Sequence, residues 1–306
     1  ISSHARRWPL CRSADLIRDL WNAREKGARH RTTGAALSCK RLLMYEEFYQ
    51  LNEKPFAILP DPDLIYWSQP HRQGLAALEF GIMNNAGFTV FTGEVGSGKT
   101  TLIRYLVKRL PRHIGVGLVT NTPHDRDELL QWIMASLNQQ YEGRFTALHS
   151  AFQIYLRTQL SSGRRTLLII DEAQNLEPAV LEQLRLLSNL ETERAKLLQI
   201  ILVGQPELAE ILARPDLTQL DQRVTLRWHL HPLPSGDTGA YIRHRLQVAS
   251  DGRTSVVFTP GGIRLVHTYS GGVPRLINVL CHRALLVAYT REERQISVAV
   301  VRQAMD

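Results

Sequence analysis

From Phe88 to Leu230 the hydrophobic pattern alternates between short, almost unbroken apolar runs and longer amphipathic stretches. The runs Phe88–Thr92, IGVGLVTN (114–121), TLLIID (166–171), LLQIILVG (197–204) and RVTLRWHL (223–230) predict five strands. Apolar residues at helical spacing predict helices over Thr100–Arg109, Asp125–Gln140, Ala147–Leu160, Pro178–Leu190 and Pro206–Ala213. A further helix precedes the first strand in QPHRQGLAALEFGIMNN, with Leu75, Leu78 and Ile82 on one face. Continuous apolar strands separated by helices imply an α/β fold with a parallel sheet covered on both faces. Past Pro232 the strand pattern stops. The segments PSGDTGAYIRHRLQVAS, TPGGIRLVHTYSGG and VPRLINVLCHRALLVAY predict short helices, hence a small all-helical second domain. Upstream, YEEFYQLNEKPFAILPDPDLIYW sets aromatics among Pro55, Pro60 and Pro62 and reads as an extended strap across a domain surface. Its aromatics Tyr45, Phe48, Tyr49, Phe56, Tyr66 and Trp67 are most simply packing for that strap. The boundaries that follow are 1–43, 44–232 and 233–306.

Charge changes how the first segment is read. The chain of 306 residues has a formal net charge of +8. Ten of its 37 Lys/Arg but only three of its 29 acidic residues lie in 1–43, which leaves 27 basic against 26 acidic for the rest. The folded body is therefore close to neutral, and a strong counterion-release footprint on nucleic acid is not expected from it. Residues 1–43 lack periodicity, and Met44 opens a different kind of sequence. A translated stretch before a start at Met44, a disordered basic arm and a transit segment are the competing readings, the acidic residues disfavouring the last. An apolar content of 44% and a charged content of 22% suit a soluble globular protein. No apolar run reaches the 18 or so residues of a membrane span. Cys11, Cys39 and Cys281 have neither disulfide-framework nor metal-ligand spacing, so a reducing, cytoplasmic setting is expected.

The chemistry concentrates at strand ends. GEVGSGKT fits G-x-x-x-x-G-K-[ST] between a predicted strand and a predicted helix. Successive backbone N–H groups of such a loop cradle phosphate oxygens, and the following helix adds its positive end. Gly93, Glu94, Val95, Gly96, Ser97, Gly98, Lys99, Thr100 and Thr101 are thus the candidate ATP cradle. Within it Lys99 would reach the β- and γ-phosphates and Thr100 would bind Mg²⁺. LLIIDEAQNL puts Asp171 at the end of a buried strand as a second Mg²⁺ residue, with Glu172 beside it to orient and deprotonate water. The adjacent Glu favours hydrolysis over transfer to a small acceptor. An extra strand between the loop and this Asp is the arrangement of hydrolysing ring ATPases.

Phosphoryl transfer also needs positive charge aimed at the γ-phosphate. Arg223, just before the fifth predicted strand, is a candidate arginine finger at a sheet edge that can face a neighbouring subunit's nucleotide. Arg275 in GGVPRLINV lies near a helix start in the second domain and can fold over the same nucleotide. Gln205, after the fourth predicted strand, is a candidate γ-phosphate sensor, and His71 in QPHRQGL a candidate border to the adenine.

In combination, MYEEFYQLNEKPFAILPDPDLIYWSQPHRQGLAALEFGI, GEVGSGKTTL, IIDEAQNL, LVGQPEL and GGVPRLINVLCHRALL resemble the AAA+ ATPase domain of the general secretion pathway protein A family. The resemblance runs from Met44 to Asp306. It implies a P-loop NTPase of the AAA+ (ASCE) class with a five-stranded parallel sheet and a helical lid, and carries Lys99, Thr100, Asp171, Glu172, Arg223, Arg275 and Gln205 as nucleotide-site positions. In that family the ATPase domain is cytoplasmic and precedes a membrane span and a peptidoglycan-binding domain, and it helps assemble the outer-membrane secretin of type II secretion. This sequence stops before any such span. The expectation is an Mg²⁺-dependent ATPase, self-associating across Arg223, that remodels an envelope or secretion partner and associates with the inner membrane through it. Two other readings stay open: a DNA-associated transposition helper, and a nucleotide-gated scaffold with little turnover.

Overall fold

The structure, a computed structural model, describes residues 45–305 apart from 59–63, 121, 122, 124, 141 and 191–195. The basic leader, Met44, Cys11, Cys39, Pro60, Pro62 and the end of the second predicted strand at Asn121 lie outside the described residues.

The five predicted strands form one parallel sheet. They are β1 (Phe88–Gly93), β2 (Ile114–Val119), β3 (Arg165–Ile170), β4 (Leu198–Gly204) and β5 (Val224–Leu230), in the spatial order β2-β3-β4-β1-β5. The central strands β1, β3 and β4 are buried on both sides, and β3 shows why its sequence reads as a run without polar alternation. Leu168 and Ile170 enter one core, whereas Leu167 and Ile169 enter the other. The first core also receives Leu129, Leu130 and Ile133 of α3 (Arg126–Ser136), Phe152 of α4 (Phe145–Ser161) and Leu181 and Leu184 of α5 (Pro178–Ser188). The second is closed by Leu78 and Ile82 of α1 (Gln69–Met83) and by Leu102, Ile103 and Leu106 of α2 (Lys99–Arg109). Two short helices, α6 (Glu207–Leu212) and α7 (Thr218–Asp221), link β4 to β5.

Local chemistry fixes several helix starts. Ser68 caps α1, accepting from the His71 N–H, with Pro70 in the first turn. Asp125 caps α3 through a 2.8 Å bond from the Glu128 N–H. The observed α3 ends at Ser136, short of the predicted Gln140, because Asn138 turns into the left-handed region at φ 56°.

The C-terminal unit comprises α8 (Ser235–Ser250), α9 (Pro260–Ser270), α10 (Pro274–Thr290) and α11 (Val298–Met305). It is helical, as the sequence indicates, with one addition: β6 (Val257–Phe258) pairs in parallel with β7 (Gln295–Ile296). Two residues are too few to show a period.

The strap's packing also differs from the sequence-derived boundary. Tyr45, Tyr49 and Phe56 sit in the same core as Ile242, Ile277, Leu280 and Leu285 of the helical unit. Arg245, only 6% exposed, donates to the carbonyls of Pro55 at 2.6 Å and Ala57 at 3.1 Å. Each such charge-assisted bond stabilises by roughly 1.5–3 kcal/mol. The start of the strap therefore belongs physically to the helical unit, and residues 64–68 carry the chain back to the sheet.

Candidate active site

The phosphate loop joins β1 to α2. Its backbone takes left-handed turns at Gly96 (φ 81°) and Gly98 (φ 103°), which a side chain would strain. Lys99 is buried and folds its ammonium onto the loop's own carbonyls, Gly93 at 2.6 Å and Glu94 at 3.0 Å. Burial lowers its pKa, while the carboxylates of Glu172, Asp171, Glu94 and Glu207 oppose that shift. A cation so placed is set to meet anionic oxygens.

His71 braces the loop from α1. Its Nε2 lies 3.1 Å from the Ser97 carbonyl oxygen and its Nδ1 lies 2.7 Å from Ser68 Oγ. The described contacts make it a prop for the phosphate loop. Burial lowers its pKa, and does the same for His229, His244 and His282. An unfolded chain takes up protons at these histidines near pH 6.5, before the folded chain does. Stability should therefore fall as pH drops below that value. Denaturant midpoints measured between about pH 7 and about pH 5 should decline, and His71→Gln should flatten the decline.

Asp171 follows β3 directly and is buried. Its Oδ2 accepts from Thr100 Oγ1 at 2.9 Å, and its Oδ1 accepts from the Glu172 N–H at 3.0 Å. Burial raises its pKa, against the pull of those two hydrogen bonds. Glu172 itself occupies the left-handed region at φ 54°, where a residue with a Cβ is uncommon and where strain accumulates at functional positions. Its Oε2 accepts from Gln174 Nε2 at 2.8 Å and from Gln205 Nε2 at 3.4 Å. Gln174 in turn accepts from the Gln205 N–H at 3.0 Å through its Oε1. Gln174 is the residue that sequence reasoning missed. Its signal was the amide two positions after the Glu in DEAQNL.

The lid reaches the loop through Arg275. Its N–H donates to the Gly96 carbonyl at 3.2 Å, and a Cβ on Gly96 would lie 2.4 Å from that of Arg275. The first turn of α10 thus sits against the phosphate loop. Arg223 does not join this cluster. It precedes β5, at the edge of the sheet where β1 begins, whereas the loop leaves β1 at the other end. The six residues of β1 put about 20 Å between those edges. Val95 lies exposed in the loop and Thr101 in the first turn of α2.

With Lys99, Asp171 and Glu172 gathered at the strand ends, β4 lies between β1 and β3. Residues 82–212 match a family profile described as an AAA domain. Over 255 residues, 83% of this chain and 46% of the relative, the sequence is 44% identical to general secretion pathway protein A of Aeromonas hydrophila. The chain carries an AAA domain and is similar to general secretion pathway protein A. It spans about half the length of that curated relative. Among solved structures, an Aeropyrum pernix ORC2 protein with ADPNP and ADP matches this AAA chain at a TM-score of 0.57 and 19% identity, over 76% of this chain and 66% of that one. Drosophila ORC bound to DNA gives 0.62 and 16%, over 96% and 73%. Cdc6p of Pyrobaculum aerophilum gives 0.60 and 17%, over 81% and 71%. At these identities the likeness is one of fold: a P-loop NTPase sheet with a helical unit after it. No helix among the described residues is long and apolar enough to cross a membrane.

Proposed function

We propose that this AAA protein binds and hydrolyses ATP with Mg²⁺, acts as an oligomer, and couples turnover to assembling or remodelling a partner protein of the cell-envelope secretion machinery. The observation that carries the reading is the pair Asp171–Glu172. One carboxylate is buried against the Thr100 hydroxyl, and the next is held out by two glutamine amides from a left-handed backbone. Both border the loop that buries Lys99. The ADPNP and ADP complexes of the structurally similar ORC2 protein support a nucleotide as ligand.

Mg²⁺ suits the donor set, since a hydroxyl and a carboxylate lie side by side as hard oxygen ligands and Asp171 is buried without a cation in hydrogen-bond contact. When bound, it draws charge from the β- and γ-phosphate oxygens. Lys99 leaves its carbonyl partners to bind phosphate. Glu172 orients the attacking water and accepts its proton, while Gln174 and Gln205 fix the carboxylate. Arg275 carries the position of the loop into the lid. A secretion partner rests on the likeness to the Aeromonas protein, whose name gives the pathway.

Calorimetry with ATP and Mg²⁺ tests the foundation. The full chain should show saturable heat, and Lys99→Ala should weaken association by roughly 10–150-fold, the equivalent of losing one charge-assisted contact. Absence of any heat from folded protein would overturn the reading. Steady-state phosphate release then separates an ATPase from a switch that scarcely turns over.

A further inference from the structure

A cavity of about 750 Å³ opens at the sheet edge opposite the phosphate loop, with Arg185, Ser188, Lys196, Gln219, Gln222 and Arg223 among its walls. Three cations thus converge from three separate places: α5, the approach to β4 and the turn before β5. Hydroxyl and amide groups fill the spaces between them, so the lining suits an oxyanion better than an apolar ligand. Arg185 is held in place. Its Nε and Nη2 both donate to Glu182 Oε1, at 2.8 and 2.7 Å, and its side chain is only 13% exposed. A guanidinium already fixed loses little entropy when it binds a phosphate. Arg223 donates from Nη1 to Ser188 Oγ at 3.4 Å, a long bond that leaves the rest of its fork available. Lys196 lies over Gly87, where a Cβ would come within 2.7 Å of its Nζ. Beside them β5 is irregular: Phe88 pairs with Val224 but Thr89 with Leu226, so Thr225 is skipped. Such bulges re-aim the residues next to them.

This cavity cannot serve the nucleotide of its own chain, because β1 separates the two edges by about 20 Å. The opposite edge of a second copy fits it. There Glu94 and Glu207 are exposed around the phosphate loop, which gives an anionic rim even before a triphosphate is added. Opposite charges on opposite edges of one chain favour a head-to-tail contact, the geometry that builds rings. We infer that Arg185 and Lys196 act with Arg223 as a three-cation receptor for the triphosphate bound in the loop of a neighbouring copy. The inference rests on the proposed ATP hydrolysis by an oligomer and adds two residues to the finger expected at Arg223.

The test uses the full chain and ATP. Arg185→Ala and Lys196→Ala should each lower turnover by roughly 10–150-fold, the value of one charge-assisted contact, without weakening ATP binding to the variant's own loop. Mixing either variant with Lys99→Ala should restore activity. In the mixture Lys99→Ala subunits supply the missing cation, and the variant's intact loop holds ATP. Because Lys196 is exposed, its variant keeps the test decisive should Arg185→Ala fail to fold. The Arg223→Ala and Lys99→Ala mixture serves as the reference. If that pair regains activity while Arg185→Ala and Lys196→Ala turn over normally, or stay inactive when mixed, the three-cation receptor is wrong and the shared site stands. If the reference pair itself stays inactive, the shared site falls and the receptor falls with it.

Discussion

Alanine at Arg223 should cut ATP turnover by roughly 10³–10⁵-fold while leaving ATP binding intact. The two halves of that expectation come from different parts of the geometry. Binding is preserved because Arg223 lies a full strand length from Lys99 and its side chain hydrogen-bonds only Ser188 among the described residues. Turnover falls because the Arg223 fork, held only by one long bond to Ser188, is left to reach a neighbouring copy's γ-phosphate. Arg227, the next arginine along the chain, is tied instead to Asp221 at 2.5 Å. A guanidinium that reaches a neighbour's γ-phosphate meets charge which develops only in the transition state, so its loss shows in kcat rather than in affinity. Single-turnover hydrolysis beside a binding isotherm reads the two separately. Unchanged kcat in Arg223→Ala would remove the finger, and parallel losses in binding and turnover would point instead to a damaged fold. Arg223→Lys should recover little, since an ammonium lacks the planar fork.

Such a test could be framed from the sequence because the relevant signals are local. The phosphate loop is contiguous, and the pair Asp171–Glu172 sits at the end of a strand that an apolar run of four residues already marks. The central strands were legible for the same reason, being buried on both faces with no polar alternation, whereas the edge strand β5 alternates apolar with polar residues such as Thr225 and Arg227. What stayed hidden depends on contacts between distant residues. Arg245 holds carbonyls 188 and 190 positions away, so no window of sequence could assign the strap to the helical unit. Gln174 meets the Gln205 backbone 31 positions on, across the β3–β4 neighbourhood. Arg185, Lys196 and Arg223 become neighbours only once β4 and β5 have been placed on either side of β1. Even His71, which the sequence singled out, has a partner 26 positions away that no local window shows. A helix cap at Ser68 turns its ring toward the Ser97 carbonyl.

Glu172→Gln should bind ATP as the parent does and hydrolyse it about 10²–10⁴ times more slowly, the range that a positioned general base supplies. The substitution conserves shape and removes only basicity, so the left-handed backbone at φ 54° and the N–H bond to Asp171 should persist. One local change is expected. Gln174 and Gln205 now donate to a carboxylate oxygen. An amide there can present either its oxygen or its NH₂, and the oxygen can still accept both bonds. The trapped complex should therefore be stable rather than loosened, and bound ATP should survive gel filtration with the protein. Gln174→Ala separates positioning from basicity: it leaves the carboxylate but frees it, so turnover should fall less than in Glu172→Gln while the pH dependence of kcat persists. Equal hydrolysis by Glu172→Gln and the parent would take the base away from this position, and the strained backbone at Glu172 would then need another explanation.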